Sequence, residues 1–462
     1  MKINQKEENL IIKKKPEQLS RTKRFMIFLI LYLMSILINN EQFIFSQHQK
    51  ALIDKKIRIN NINILLCHTS GFLLGELIFI KISQIENRKK VTFICYLING
   101  LLFFIYALSE NKIIFYCCRF LIRLFKDYKF IFVPVWIDQI GIKKYKTILM
   151  FLYLHFNIRQ IINIIFEKKM NSNKWYLNSI IFGTLIIAFD CLLLIFPEKY
   201  FSLKLNFIGY KSDKKEEYII SNEPEKISFF EEKEEKNNKT GFLKTIKKNK
   251  VYIFSILTNF FHSIFYQIII LNIISYLITL NKYTHPYDQI SMIISTRNLS
   301  NLALFLGKIF EIICLSCIGG YENKNSAIFL GISSILNFIF SLFLIFSNNS
   351  LLLTLGFLLY LFFSSSISFI IDCFIINLLP NKYKGCGFAL NLLIENIGNT
   401  IAPIIYGLLH DYFGKHNPTL PWKININYIL LETTFCLVTS YYRYYYKEEI
   451  KDDNEKELEI IA

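Results

Sequence analysis

The chain has 462 residues, of which 53% are hydrophobic and 44 are Phe, with a formal net charge of +17. So apolar a composition excludes an ordinary soluble protein and points to a polytopic membrane protein. The positive balance does not indicate nucleic acid, because the basic residues flank hydrophobic runs and form neither a compact basic module nor a recognition motif.

Residues 1–24 are polar and basic, and the apolar run from Phe25 onward has no small-residue cleavage site, so it reads as a retained helix rather than a signal peptide. Crossing a bilayer takes about 20 mostly apolar residues in a helix. Six such runs come first, at 25–45, 62–82, 91–108, 113–138, 147–166 and 176–196. Residues 199–250 then break the pattern. Half of positions 211–250 are Lys, Asp or Glu, too polar to order themselves by burial, so this segment reads as a solvated linker. Six more runs follow, at 252–278, 290–318, 326–346, 351–379, 386–409 and 424–441, before a polar tail at 442–462. The expected fold class is an all-α membrane protein with 12 transmembrane helices in two six-helix bundles, 25–198 and 251–441.

Lys and Arg in short loops set the orientation. Placing the N-terminus in the cytosol puts the basic tail, Arg88-Lys89-Lys90, Lys143-Lys144, the linker, Lys382, Lys384 and Lys447 on the inner side, against Lys55, Lys56 and Arg58 outside. Both termini are therefore expected in the cytosol. Most of the ten cysteines sit inside apolar runs, where Cys behaves as a small hydrophobe. Cys314-x-x-Cys317 lacks a second ligand pair, so no metal or cofactor is expected. There is no phosphate-binding GxxxxGK[ST] loop, HExxH or GxSxG, which argues against ATP-driven pumping, membrane hydrolase chemistry and an enzyme generally.

Several local patterns resemble the major facilitator superfamily. Gly71, Gly75 and Glu76 precede Glu86-Asn87-Arg88-Lys89-Lys90, which stands where that family carries an acidic and basic loop after its second helix. Arg119 and Pro134 match its fourth helix, and Phe196-Pro197-Glu198 matches the close of its first half. In the second half, Lys384-Gly385-Cys386-Gly387, Asn391, Gly398, Pro403, Gly407 and Asp411 resemble the eleventh helix of the spinster-like and organic-anion branches. This resemblance implies a gate in which Asp138 pairs with Arg88 and Lys89 in an outward-open state. It also implies cargoes such as lipid-derived amphiphiles and other small organic solutes.

Arg119, Arg123 and Lys126 recur at i, i+4 and i+7, three cations on one helix face, with Asp127 beside them. Charges at membrane depth usually face a bundle interior or a water-filled path, which suits an anionic or zwitterionic substrate. The alternative is that these residues snorkel at the interface or pair with carboxylates. Arg159 in the fifth run either joins this pathway or marks a chain that has drifted from transport. His262, with Asn259 and Tyr266 at helical spacing, supplies a polar stripe from the second half. Glu41 and His68 are candidates for proton coupling, and Asp372 and Glu395 are possible partners for a cation. The leading expectation is a monomeric secondary transporter or facilitator in the lipid bilayer, of the plasma membrane or an organelle. It would move a small-molecule substrate by alternating access, with protons as a candidate coupling ion. The alternative is a transporter-like receptor or structural protein that no longer moves cargo.

Overall fold

The computed structural model describes residues 20–54, 61–82, 88–140, 145–154, 175–201, 242–281, 286–347, 349–379, 383–413 and 420–461. Arg159 and most of the linker, 202–241, lie outside the described residues. The described part of the N-terminal half forms α1 (Arg21–Asn39), α2 (Glu41–Asp54), α3 (Asn61–Ile82), α4 (Arg88–Leu108), α5 (Lys112–Ile140), α6 (Lys146–Leu154) and α7 (Trp175–Leu194). The C-terminal half forms α8 (Phe242–Lys248), α9 (Lys250–Asn281), α10 (Pro286–Ile318), α11 (Asn325–Phe346), α12 (Ser350–Leu378), α13 (Lys384–Phe413), α14 (Leu420–Ile424) and α15 (Ile426–Ile461). Among the described residues, eight helices are long and apolar enough to cross a membrane. Leu66, Ile94, Ile313, Ile332 and Leu408 project outward, as lipid-facing side chains do.

The expected first helix, 25–45, is instead two. Asn39 and Asn40 interrupt the apolar run, and the Asn40 amide donates to Ile36 O at 3.0 Å, competing with the helix ladder. The break leaves Glu41 at the start of α2, buried against α5. By contrast, α5 continues through Pro134. The last helix also runs on through 442–461, where the sequence suggested only a polar tail.

The two halves repeat one packing scheme. In the first, α3 packs on α5 and α4 on α7; in the second, α10 packs on α12 and α11 on α15. Close approach of α3 to α5 depends on Gly71 and Gly75. A Cβ at Gly71 would lie 2.5 Å from Phe120 O, and one at Gly75 would lie 2.7 Å from Leu124 O. Gly71→Ala or Gly75→Ala is therefore expected to destabilise the fold by about 1–3 kcal/mol through overpacking, read as a lower unfolding temperature of the purified protein. α10 ends in a left-handed turn, with Gly319 at φ 95° and Gly320 at φ 91°, and Gly320 N–H bonds back to Leu315 O at 2.7 Å.

Candidate substrate pathway and inter-half seam

The cationic face of α5 points into the N-terminal half. Arg119, Arg123 and Lys126 are only 4%, 7% and 3% exposed, which is incompatible with snorkelling at a lipid interface. All three converge on Glu41. Arg119 Nη1 pairs with Glu41 Oε1, while Arg123 Nε and Lys126 Nζ stand 3.7 and 3.6 Å from Oε2. Aromatic rings complete the lining: Arg119 lies 4.2 Å over Phe45 and Arg123 5.5 Å over Phe72. Glu41 thus stands as the shared counter-ion of the stripe, and His68 on α3 lies within electrostatic reach of Arg123, Arg119 and Glu41.

Sequence reasoning missed Lys129, which continues the stripe one turn on. It is buried and donates to Ser35 O (3.0 Å), Ser35 Oγ (3.2 Å) and Asn39 Oδ1 (2.9 Å), tying α5 to α1. The i, i+3 spacing from Lys126 was the signal that could have found it. Asp127 faces α3 beside Gly75, and neither carboxylate oxygen has a hydrogen-bond partner among the described residues.

In the C-terminal half, His262 Nδ1 lies 2.9 Å from Glu432 Oε1 on α15, and its Nε2 lies 3.3 Å from Ser364 Oγ on α12. Asn337 Nδ2 on α11 donates to the same Glu432 oxygen at 3.2 Å. His262 is therefore locked into a four-helix network. Glu432 was legible as the lone acidic residue in the apolar run 426–440, but nothing in the sequence links it to His262. Asn259, one turn earlier on α9, turns instead toward Asp372 on α12 and Asn391 on α13.

The halves meet along a polar seam. Asn396 Nδ2 on α13 donates to Glu76 Oε1 on α3 at 2.7 Å, and Cys386 Sγ approaches Ile80 O at 3.2 Å. Farther toward the start of α13, Asp138 accepts from Lys384 Nζ (2.5 Å), Lys146 Nζ (2.6 Å) and Tyr321 Oη (3.3 Å), and Lys146 also pairs with Glu322. Asp138 is thus held by Lys146 and Lys384 rather than by the expected Arg88 and Lys89. The reason lies in helix direction, since the C-terminal end of α5 delivers Asp138 to the seam. Lys89, at the start of α4, reaches the end of α7 and donates to Leu194 O (2.8 Å) and Phe196 O (2.6 Å) as a helix C-cap. The Arg88 carbonyl accepts from Thr92 Oγ1 at 2.7 Å.

No family model matches this sequence, and no curated protein is similar to it. Solved structures are similar across nearly the whole chain. The major facilitator transporter FucP in the outward conformation, known from Escherichia coli as a fucose:proton symporter, aligns with a TM-score of 0.63 and 14% identity over 90% of this chain and 98% of that one. The fold is that of the major facilitator transporters. The proton:xylose symporter XylE aligns at 0.61 with 12% identity, over 90% of this chain and 96% of that one. The human organic anion transporter MFSD10 aligns at 0.60 with 11% identity, over 90% of this chain and all (100%) of that one. With its apolar helices, the major facilitator fold makes this an integral, multi-pass membrane protein.

Proposed function

We propose that the chain is a secondary transporter or facilitator of a small organic solute, anionic, zwitterionic or amphiphilic, working by alternating access. It does so with 12 helices in two six-helix bundles, as a monomer with both termini cytosolic. The observation that carries this reading is the Asp138 cluster, which joins the halves at one end by the Asp138–Lys384 and Lys146–Glu322 ion pairs beside the apolar contact of Phe151 with Phe369. Polar contacts of this kind can break and re-form as the halves rock. With the N-terminus inside, the Lys384 end is cytosolic and the described state is closed there, as in an outward conformation. The buried cations of α5 form the anion-attracting wall of the path, and a cargo carboxylate or phosphate would compete with Glu41 for Arg123 and Lys126. Proton coupling fits the symporter neighbours, and the spinster-like branch fits the α13 motif.

Uptake of radiolabelled organic anions, zwitterions and amphiphiles into proteoliposomes tests this. Arg123→Ala is expected to lower uptake at least about tenfold, the loss of one charge-assisted contact. A second reading, a transporter-like receptor that moves no cargo, is favoured by the convergence of all three α5 cations on Glu41. Absence of flux across the whole solute panel would select it.

A further inference from the structure

The short helix α8 follows the linker and meets the bundle beside the residue that Asp138 holds, Lys384. Its inward residues stand four apart: the Phe242 ring packs 5.7 Å from that of Tyr383, and Ile246 packs against the hydrophobic core. Asn249 then ends it. The Asn249 side chain accepts from Tyr252 N–H at 3.0 Å, the N-cap bond that starts α9 as a separate helix, and donates to Leu378 O at the end of α12 at 2.9 Å. Tyr252 Oη donates in turn to Gly387 O on α13 at 2.8 Å. The junction of α8 and α9 is therefore clamped to both helices that flank Lys384.

The outward face carries a different chemistry. Leu243 is 70% exposed, and Lys247, one turn on, is exposed together with Lys248 and Lys250. The segment 242–250 holds four lysines and no acidic residue. Water gives such a leucine no burial, whereas the headgroup layer of a bilayer covers it and lets neighbouring lysines run alongside to the phosphates. The tyrosines of α15 mark that layer. Tyr441 and Tyr445 are 60% and 52% exposed with their rings 4.7 Å apart, as interfacial aromatics are, and Lys250 Nζ lies 5.9 Å over the ring of Tyr442 between them. The leucine and the three lysines thus stand at headgroup depth.

We infer that the outward face of α8 docks the headgroups of anionic phospholipids. Charge complementarity selects this partner: a zwitterionic headgroup offers the lysines no net attraction, and an anionic leaflet attracts each of them. The inference rests on the orientation proposed above, which sets α8 on the cytosolic side, and not on transport. Because the junction is clamped to α12 and α13, a headgroup held by α8 also steadies the turn that carries Lys384, and binding is felt by the fold. The competing occupant is the acidic run of the linker, Glu231, Glu232, Glu234 and Glu235.

The test is the melting temperature of the purified full chain in mixed micelles of detergent with phosphatidylglycerol or with phosphatidylcholine. The measurement needs no flux, so failure here and failure of the transport reading are told apart. Phosphatidylglycerol is expected to raise the melting temperature saturably, and phosphatidylcholine is not. Lys247→Gln, Lys248→Gln and Lys250→Gln together are expected to weaken the apparent affinity for phosphatidylglycerol at least about tenfold. Leu243→Ser, a single exposed change that leaves every lysine in place, is the second variant and should weaken it severalfold through lost apolar burial. Arg21→Gln with Lys23→Gln removes two exposed cations at the start of α1 and should leave the lipid response unchanged. An equal response to both lipids, a phosphatidylglycerol response that survives the triple lysine variant, or a loss as large in the Arg21 and Lys23 variant overturns the inference. So does a response that appears only after Glu231, Glu232, Glu234 and Glu235 are replaced by Gln, which would assign the face to the linker.

Discussion

Glu41→Gln is expected to destabilise the protein by about 3–5 kcal/mol, the usual cost of removing one partner of a buried ion pair. Glutamine keeps the shape of the side chain and removes the charge that Arg119, Arg123 and Lys126 share. The three cations then repel one another with little water to screen them. The loss would be measured as a lower midpoint of denaturant or thermal unfolding in detergent. Adding Arg123→Ala to Glu41→Gln should return part of it, because one uncompensated charge is gone. A neutral Glu41→Gln, or a double variant worse than the sum of the singles, would mean that Glu41 does not balance the stripe.

Asp138→Asn has the second large expected effect, on conformation rather than on folding. One carboxylate holds Lys146 from its own half and Lys384 from the other, with Tyr321 as a third donor. Losing it leaves Lys384 without this carboxylate and beside Lys146, which keeps Glu322. Truncating a buried, hydrogen-bonded charge pair across an interface costs about 2–5 kcal/mol, which is at least about a thirtyfold shift between closed and open ends. Thiol cross-linking reports closure directly: Cys386 Sγ lies 3.2 Å from Ile80 O, so an Ile80→Cys variant with the other cysteines removed should be joined to Cys386 by a short bifunctional thiol reagent. The yield should fall at least about tenfold in Asp138→Asn. Lys89→Ala should leave the yield unaltered, since Lys89 caps α7 within the N-terminal half. If the Lys89 variant behaves like the Asp138 variant, the latch has been misassigned.

The site was partly legible in the sequence. The α5 stripe was visible because i, i+4, i+7 spacing is a local property of a helix, and burial of all three cations follows from their shared face. Its counter-ion was not visible as such. Glu41 lies 78 residues from Arg119 along the chain, and it meets α5 only because Asn39 and Asn40 end α1 and start a new helix. Asp138 was singled out correctly as a charged residue at the end of its helix, yet its partners were not Arg88 and Lys89. Sequence proximity to the loop between α3 and α4 says nothing about which way the end of α5 faces. Asp372 and Glu395 stood out as deep acids with no partner named by the sequence, and the fold gives Asp372 two amide donors, Asn259 and Asn391.

By itself, the sequence determined the solvent this protein lives in, the order of its apolar helices and the cationic face of α5. These properties depend on composition and on periodicity within single segments. Tertiary structure alone decided the pairings: Glu41 with α5, His262 with Glu432, Asp138 with Lys146 and Lys384, and Asn259 with Asp372 and Asn391. Each joins helices distant in sequence. In an apolar bundle a polar group takes whichever partner the packing brings within hydrogen-bond reach, since leaving it unpaired costs more than any local preference.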